Sequence, residues 1–445
     1  MSPSFGPGSP ALLGEVHVPG DKSLSHRAVL FSAMAEGTTE LHGVLVSEDV
    51  RASIEAVRAL GAQVELAEEA DGSLGGTIRG WGARGPSAPD NPIDCRNSGT
   101  TCRLLMGVLA GWPVEVTLTG DASLSRRPMR RVTEPLSKMG VLFETSEQGT
   151  LPVTMRRSVE ISPLEYRSPV SSAQVKSAIL LAGLRAHGRT TVEEPALSRD
   201  HTERLLPAYG VAVDSDPAGP TAAVTGPALL RSAGRVVVPR DPSSAAFIVA
   251  AALIVPGSSV RLPGVSLNET RTGFLSVLER MGAHVRVVPF PEAGNERVGE
   301  IDARYSPSMH GTVVAAPEVP SLVDEIPILA LLASQVEGET RFESVGELRV
   351  KESDRFEAIV QGLAALGAEA YAEGDTLVVR GRAPLHGATL DSLGDHRLAM
   401  TWAVAGLVAS EPVQVEHFDS VDVSYPRFAQ DLARLQSREG SDPHA

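Results

Sequence analysis

Residues 171–192 read SSAQVKSAILLAGLRAHGRTTV, and the order of chemistry in that stretch decides the fold. Two hydroxyls and an amide stand where a helix would begin, a run of small apolar residues follows, and Gly188 leads into a β-type stretch. The same order recurs at intervals of about 70 to 80 residues, and a fixed period of that size sets the architecture before any local assignment is made. The other copies are GDKS at 20–23 leading into AVLFSAMAEGTTEL, NSGT at 97–100 into LLMGVLAG, and DPSS at 241–244 into FIVAAALIVPGSSV. VDEI at 323–326 leads into LALLASQVEGETRF, and GDHR at 394–397 into MTWAVAGLVASEPVQV.

Between the copies lie second, more polar helices: IEAVRALGAQVEL, VTEPLSKMGVLFET, HTERLLPAYGVAV, FLSVLERMGAHVRVV and FEAIVQGLAALGAEAYA. Each carries apolar residues at helical spacing, then a glycine suited to a left-handed cap, then a strand. The expected unit is βαβαββ, repeated six times and dividing into two domains of three. Arg235–Arg240, RVVVPR, reads as a crossover strand between the third and fourth units.

The composition agrees with this α/β class. A chain of 445 residues is too long for one ordinary core, and with 42% hydrophobic but 4% aromatic residues its cores must be filled by Ala, Val, Leu and Ile. A net charge of −15 argues against a nucleic-acid or anionic-membrane partner, so any bound anion must meet a local basic pocket. Cys95 and Cys102 fit neither a zinc site nor a disulfide framework and read as reduced thiols of a cytoplasmic protein. Met1–Leu13 lacks the order of a signal peptide, the runs around Phe247–Val255 and Ile326–Ala333 are too short to span a bilayer, and Gln436–Ala445 reads as a frayed end.

Residues suited to chemistry fall at the starts of the repeated helices, where unpaired N–H groups and the helix dipole favour an anion. Asp21–Arg27 offers Lys22 and Ser23, with Arg27 one turn on from Ser23. In Asn97–Arg103, Gly99 lets backbone approach a ligand. Arg127, preceding Pro128, is held out of helical geometry and can aim its guanidinium into a cleft. Ser171, Ser172 and Gln174 supply either caps or neutral recognition of a polar substrate, and Arg199 precedes the next helix. Asp324 and Glu325 read as capping a helix at the edge of an apolar run. Arg349–Arg355 (RVKESDR) is the densest charge cluster, which by itself reads as a solvated ion-pair helix or as a site, and Asp395–His396–Arg397 repeats the theme.

Taken in order, GDKSLSHR, NSGTTCRLLMG, RRPM, SSAQVKSAILLAGL, SRDHTERLL, VDEIP, RVKESDR and GDHRLAM resemble the EPSP synthases of the enolpyruvyl transferase family, from about Val16 to Phe428. The resemblance implies two inside-out α/β domains, 22–238 and 1–21 plus 239–445, joined by two crossing segments. It implies transfer of the enolpyruvyl group of phosphoenolpyruvate to the 5-hydroxyl of shikimate 3-phosphate, on the route to chorismate and the aromatic amino acids. By resemblance Lys22, Ser23, Arg27, Ser172, Ala173 through its backbone, Gln174, Arg199, Asp324 and Lys351 contact shikimate 3-phosphate. Lys22, Gly99, Arg127, Gln174, Arg355 and Arg397 take phosphoenolpyruvate, where glyphosate competes. Asp324 and Glu352 match the acid/base carboxylates, with Lys22 assisting and His396 close by; no metal or other cofactor is expected, because the cations already neutralise the substrates. The ligands come from both halves of the chain, so closure on substrate is expected, in a cytoplasmic monomer.

The pattern departs from the family at two positions. Val423, in DVSYP, stands where some members carry a lysine that reaches phosphoenolpyruvate, and Ala173 replaces a second serine. Gly99 is kept where herbicide-tolerant members carry alanine, which implies inhibition by glyphosate. The related UDP-N-acetylglucosamine enolpyruvyl transferases carry a reactive cysteine beside their arginine, and residues 120–127, GDASLSRR, hold no thiol. A non-catalytic phosphoanion-binding protein would lack Asp324 or Glu352, and both are present.

Overall fold

The computed structural model describes residues 3–6, 10–216, 219–290 and 296–437. Of the tail read as frayed, only Gln436 and Ser437 are among them; Gln436 closes a helix, and 438–445 lie outside the described residues.

The helices are α1 (Lys22–Met34), α2 (Glu48–Ala59), α3 (Gly99–Leu109), α4 (Arg130–Lys138), α5 (Ala173–Gly183), α6 (His201–Leu205), α7 (Pro242–Ile254), α8 (Gly273–Arg280), α9 (Ile326–Ser334), α10 (Arg355–Ala365), α11 (His396–Gly406) and α12 (Phe428–Gln436). None among the described residues is long and apolar enough to cross a membrane. The chain separates into two units, one of Gly20–Pro239 with Gly294–Glu296 and one of Met1–Pro19, Arg240–Ala293 and Arg297–Ala445. Each encloses its own apolar core.

Among the described residues the recurring sequence order corresponds to six small mixed sheets, five of four strands and one of three. In the copy quoted first, Glu165–Arg167 pairs parallel with Gly188–Glu193 across α5, and Thr221–Gly226 and Val213–Ser215 extend the sheet antiparallel. A parallel pair needs a crossover, and the apolar helix supplies it. The same strand arrangement holds in the other four-stranded sheets, but two of them borrow a strand from elsewhere in the sequence. Arg235–Val237 pairs parallel with Thr38–Val44 to give the α1 copy its first strand, and Leu13–Glu15 does the same for Ser259–Ser266 of the α7 copy. Ser4–Phe5 completes the three-stranded sheet against Val413–Glu416. Of RVVVPR, read as a crossover strand, Arg235–Val237 forms a strand, at the edge of the α1 sheet.

Within a unit the first helix of each copy lies in the middle and the sheets lie outside. Twelve of the thirteen residues of α7 are buried, α9 and α11 are buried throughout, and α1, α3 and α5 nearly so, which is why these helices lack a polar stripe along their length. Gly107 lets α3 and α5 approach, since a Cβ there would come within 2.3 Å of the Ala178 carbonyl oxygen. One helix departs from the sequence reading. HTERLLPAYGVAV forms only the five residues of α6 before tightening into a 3₁₀ turn, Leu206–Tyr209, which contains Pro207 and ends at Gly210 with φ 79°. Proline has no N–H for the α-helical ladder.

The outer face of the α1 sheet carries a pH-dependent contact. The His42 ring lies 2.7 Å from Glu69 Oε1 through Nδ1 and 2.7 Å from Glu40 Oε1 through Nε2, while Glu69 Oε2 accepts from the Gly43 N–H. The bonds to Glu69 and then Glu40 raise the imidazole above its ordinary value against the opposing charge of Arg235, and the bond to His42 lowers Glu69. The imidazole's contribution is full below its unfolded value of 6.5 and is lost as pH rises through the raised folded one; the carboxylate's is present above 4.5 and lost as pH falls through its lowered one. His42→Gln should therefore be most destabilising near pH 5.5, with the deficit shrinking toward pH 8.5. Urea midpoints across that range test it, and a gap that does not vary with pH would contradict it.

Candidate active site

In the Gly20–Pro239 unit the starts of α1, α3 and α5 carry the candidate residues. Asp21 caps α1 by accepting from the Leu24 N–H at 2.8 Å, which leaves Lys22 and Ser23 on the first turn. Lys22 Nζ lies 3.2 Å from Asp49 Oδ2 of α2 and is partly exposed, so one of its three donors is engaged there. Arg27 is buried: its guanidinium donates to Thr202 Oγ1 (2.7 Å), Ser177 Oγ (2.8 Å) and the Ser23 carbonyl (3.0 Å). Burial pulls it down to about 10, with Glu203 and Asp21 opposing. It remains a cation at neutral pH, knitted to α5 and α6. Behind it, buried His26 contacts Ser53 Oγ, which contacts Thr101 Oγ1, which donates to Ser98, the cap of α3. Burial, then Lys22 and Arg27, push the His26 imidazole well down, so it is neutral there.

The start of α3 gathers the second group. Gly99 is buried, and a Cβ on it would sit 3.0 Å from Arg103 Nη1 and 3.5 Å from Arg127 Nη1, so two guanidiniums stand over this glycine. Arg103 Nη1 donates to Gln174 Oε1 at 2.6 Å, and Gln174 Nε2 donates to Thr100 Oγ1 at 2.9 Å, which fixes the Gln174 amide between α3 and α5. Arg127 has φ −77° and ψ 139°, the extended geometry its place before Pro128 requires. Its Nη2 donates to Asn97 Oδ1 at 2.6 Å, and its buried Nε–H finds no acceptor among the described residues.

At the start of α5 the Ser172 side chain makes no cap; its N–H donates to Glu194 Oε1 at 2.6 Å, and Ser171 Oγ donates to the Ala196 carbonyl. Glu194 Oε2 accepts from Ser198 Oγ and Lys176 Nζ, tying Ser172 and Ala173 to the segment that carries Arg199. Lys176 is enclosed by Glu194 and Glu203 and belongs to the core.

In the other unit, candidates meet at the starts of α9, α10 and α11. Arg355, fully buried, donates from Nε to Asp395 Oδ2 (2.7 Å), from Nη1 to Asp324 Oδ1 (2.9 Å) and from Nη2 to Glu352 Oε2 (2.6 Å). Burial alone would lower this guanidinium, but Asp395, Glu352 and Asp324 outweigh it and raise it. Arg397 Nη2 lies 3.5 Å from Asp324 Oδ2, and its Nη1 donates to the Asp324 carbonyl at 3.3 Å. His396 is the buried first residue of α11, preceding Arg397. Lys351 turns its ammonium to Glu347 at 3.0 Å. Val423 is half-buried in a 3₁₀ turn.

One reading of this region needs correction, and one open alternative is decided. Asp324 does not cap α9: its carboxylate is drawn to Arg355 and Arg397, while Glu325 takes the cap position without a side-chain bond to the helix. Nor is RVKESDR a solvated ion-pair helix. Gly346–Val350 is a 3₁₀ turn, α10 starts only at Arg355, and that arginine is inside because three carboxylates compensate it. Sequence reasoning missed Asp395 as the partner of Arg355, Asp49 as the partner of Lys22, and Arg103 as the holder of Gln174. Arg103 had a signal, since it follows Gly99 by one helical turn. Among the described residues no group of three or more His, Cys, Asp or Glu side chains could hold a metal ion.

A family model described as EPSP synthase (3-phosphoshikimate 1-carboxyvinyltransferase) matches residues 7–432. The 3-phosphoshikimate 1-carboxyvinyltransferase of Halorhodospira halophila is 46% identical over 435 residues, covering 98% of this chain and 96% of that protein. The one of Gluconobacter oxydans is 48% identical over 421 residues, covering 94% of each. Among solved structures, an EPSP synthase from Acinetobacter baumannii is similar with a TM-score of 0.86 at 39% identity, covering 97% of both chains. The enolpyruvyl transferase NikO from Streptomyces tendae, 20% identical with a TM-score of 0.77 over 97% of this chain and 96% of that one, shares the fold.

Proposed function

Because the chain belongs to the EPSP synthase family and has 3-phosphoshikimate 1-carboxyvinyltransferase activity in the shikimate pathway, we propose that its helix starts divide the two substrates and the proton traffic between named residues. Shikimate 3-phosphate is taken by Lys22, Ser23, Arg27, Ser172, the Ala173 backbone, Gln174, Arg199, Asp324 and Lys351. Phosphoenolpyruvate is taken by Lys22, Gly99, Arg127, Gln174, Arg355 and Arg397, whose cations match its carboxylate and phosphate. The observation that carries the reading is the Asp324 carboxylate, bonded to Arg355 and close to Arg397, with Glu352 on the same arginine.

Asp324 accepts the proton of the 5-hydroxyl as its oxygen bonds to C2 of phosphoenolpyruvate, and Glu352 delivers a proton to the methylene, giving a tetrahedral intermediate. In the second step the C2–O bond to phosphate breaks, Glu352 recovers a proton from the methyl carbon, and the proton held by Asp324 leaves with phosphate. Lys22 and the guanidiniums hold the negative charge that builds on the departing phosphate. The test is phosphate release from shikimate 3-phosphate plus phosphoenolpyruvate, matched mole for mole by enolpyruvyl product; release without that product would sink the assignment. The same reading takes the chain as a cytoplasmic monomer, which gel filtration checks.

Glyphosate is expected to compete with phosphoenolpyruvate, since both are compact anions suited to the cations around Gly99. Gly99→Ala should keep the fold, because the methyl would press on the ends of two flexible arginines rather than on backbone. It should raise the KM for phosphoenolpyruvate about tenfold and the glyphosate inhibition constant by more, the inhibitor having no reaction to recover the lost contact. Inhibition curves at several phosphoenolpyruvate concentrations check this, and an unaltered inhibition constant would count against the placement.

A further inference from the structure

Asn97 sits between two groups that can each play only one part in a hydrogen bond. On one side its Nδ2 donates to Asp121 Oδ2 at 2.7 Å; on the other its Oδ1 accepts from Arg127 Nη2 at 2.6 Å. An ionised carboxylate only accepts and a guanidinium only donates, so the amide has one workable orientation. Asp121 is itself fixed: its Oδ1 accepts from the Leu124 N–H at 2.7 Å, its N–H donates to the Arg96 carbonyl at 2.8 Å, and its carbonyl accepts from the Ser125 N–H at 2.9 Å. The carboxylate thus joins the strand end before α3 to the turn that carries Arg127. Ser123 Oγ, at 3.4 Å from Arg127 Nη2, is too long to hold the guanidinium alone.

We infer that Asp121 is a positioning residue for the reaction: by dictating which way the Asn97 amide faces, it aims the Arg127 guanidinium over Gly99. The inference rests on the assignment of Arg127 to phosphoenolpyruvate. Asp121 is exposed, and an asparagine there keeps the acceptor for the Leu124 N–H, so it can be altered without opening the fold.

Asp121→Asn keeps the shape and the bond to the Leu124 N–H but turns an NH₂ toward the NH₂ of Asn97. The Asn97 amide then flips, and its NH₂ confronts the donors of Arg127. The KM for phosphoenolpyruvate should rise about tenfold, the loss of roughly one charge-assisted hydrogen bond, while the KM for shikimate 3-phosphate and the urea midpoint stay within about twofold and unchanged, respectively. Combining Asp121→Asn with Asn97→Asp exchanges donor and acceptor along the relay at constant net charge and should bring the phosphoenolpyruvate KM most of the way back. A merely structural contact would give no such rescue. Arg127→Lys serves as the reference. If it raises the phosphoenolpyruvate KM while Asp121→Asn does not, or the double exchange fails to rescue, the relay is wrong and the assignment of Arg127 stands. If Arg127→Lys also leaves that KM unaltered, the assignment fails and the relay falls with it.

Discussion

With Asp324→Ala, turnover is expected to fall by a factor of about 10³ to 10⁴, while the KM for shikimate 3-phosphate changes about tenfold or less. In the proposed mechanism the carboxylate accepts the proton from the attacking hydroxyl, and in the structure it stands between Arg355 and Arg397; alanine can do neither. Only the first belongs to the transition state alone, so the larger effect should appear in kcat. The fold should survive, because Arg355 keeps Asp395 and Glu352. Asp324→Asn is the sharper companion variant, retaining the shape and an acceptor for Arg355 but taking no proton at neutral pH. Steady-state kinetics on both variants decide the matter; turnover near the native rate in either one rules out the base role.

The second large effect is on stability as well as activity. Arg355→Met leaves Asp324, Glu352 and Asp395 facing one another without the cation that compensates them. Removing one partner from a buried charge cluster costs about 3–5 kcal/mol, and the proposed phosphoenolpyruvate site loses a guanidinium at the same time. Arg355→Lys should rescue little, because one ammonium cannot replace a planar fork that donates in three directions. Urea unfolding of the native chain and both variants, followed in parallel with phosphate release, checks this. A loss below about 1 kcal/mol for Arg355→Met would show that the carboxylates reorganise or protonate at little cost.

The repeat was legible because its cause is local: apolar helices enclosed on all sides must read as uninterrupted small apolar runs, and each must hand over to a strand through a turn. The α5 copy, SSAQVKSAILLAGL, was therefore readable in isolation. The borrowed strands were less so. Ser4–Phe5 lies in a Pro-, Gly- and Ser-rich stretch whose pairing with Val413–Glu416 spans almost the whole sequence, and no periodicity reports a partner that distant. For the site, the candidate positions at the helix starts were readable, because orphan N–H groups demand polar or flexible residues there. Their partners were not. The depth of Arg355 depends on Asp395, forty residues on, and the grip of Arg103 on Gln174 joins two different copies. Alternating charge in RVKESDR is what a solvated helix would also show, so only the third dimension separates the two.

The edge strands borrowed from distant parts of the sequence also bear on how the chain is made. The Asp21 N–H is bonded to the Pro239 carbonyl, and the Asp241 N–H to the Pro19 carbonyl, so each unit is closed by a clasp between segments more than two hundred residues apart. During synthesis Ser4–Phe5 must wait for Val413–Glu416, whereas most of Gly20–Pro239 can assemble once Arg235–Val237 has emerged, with Glu296 joining His201 later. In effect one module is spliced into another between Pro19 and Arg240, and a gene cut at that junction would leave the inserted module without the Glu296 partner of its buried His201.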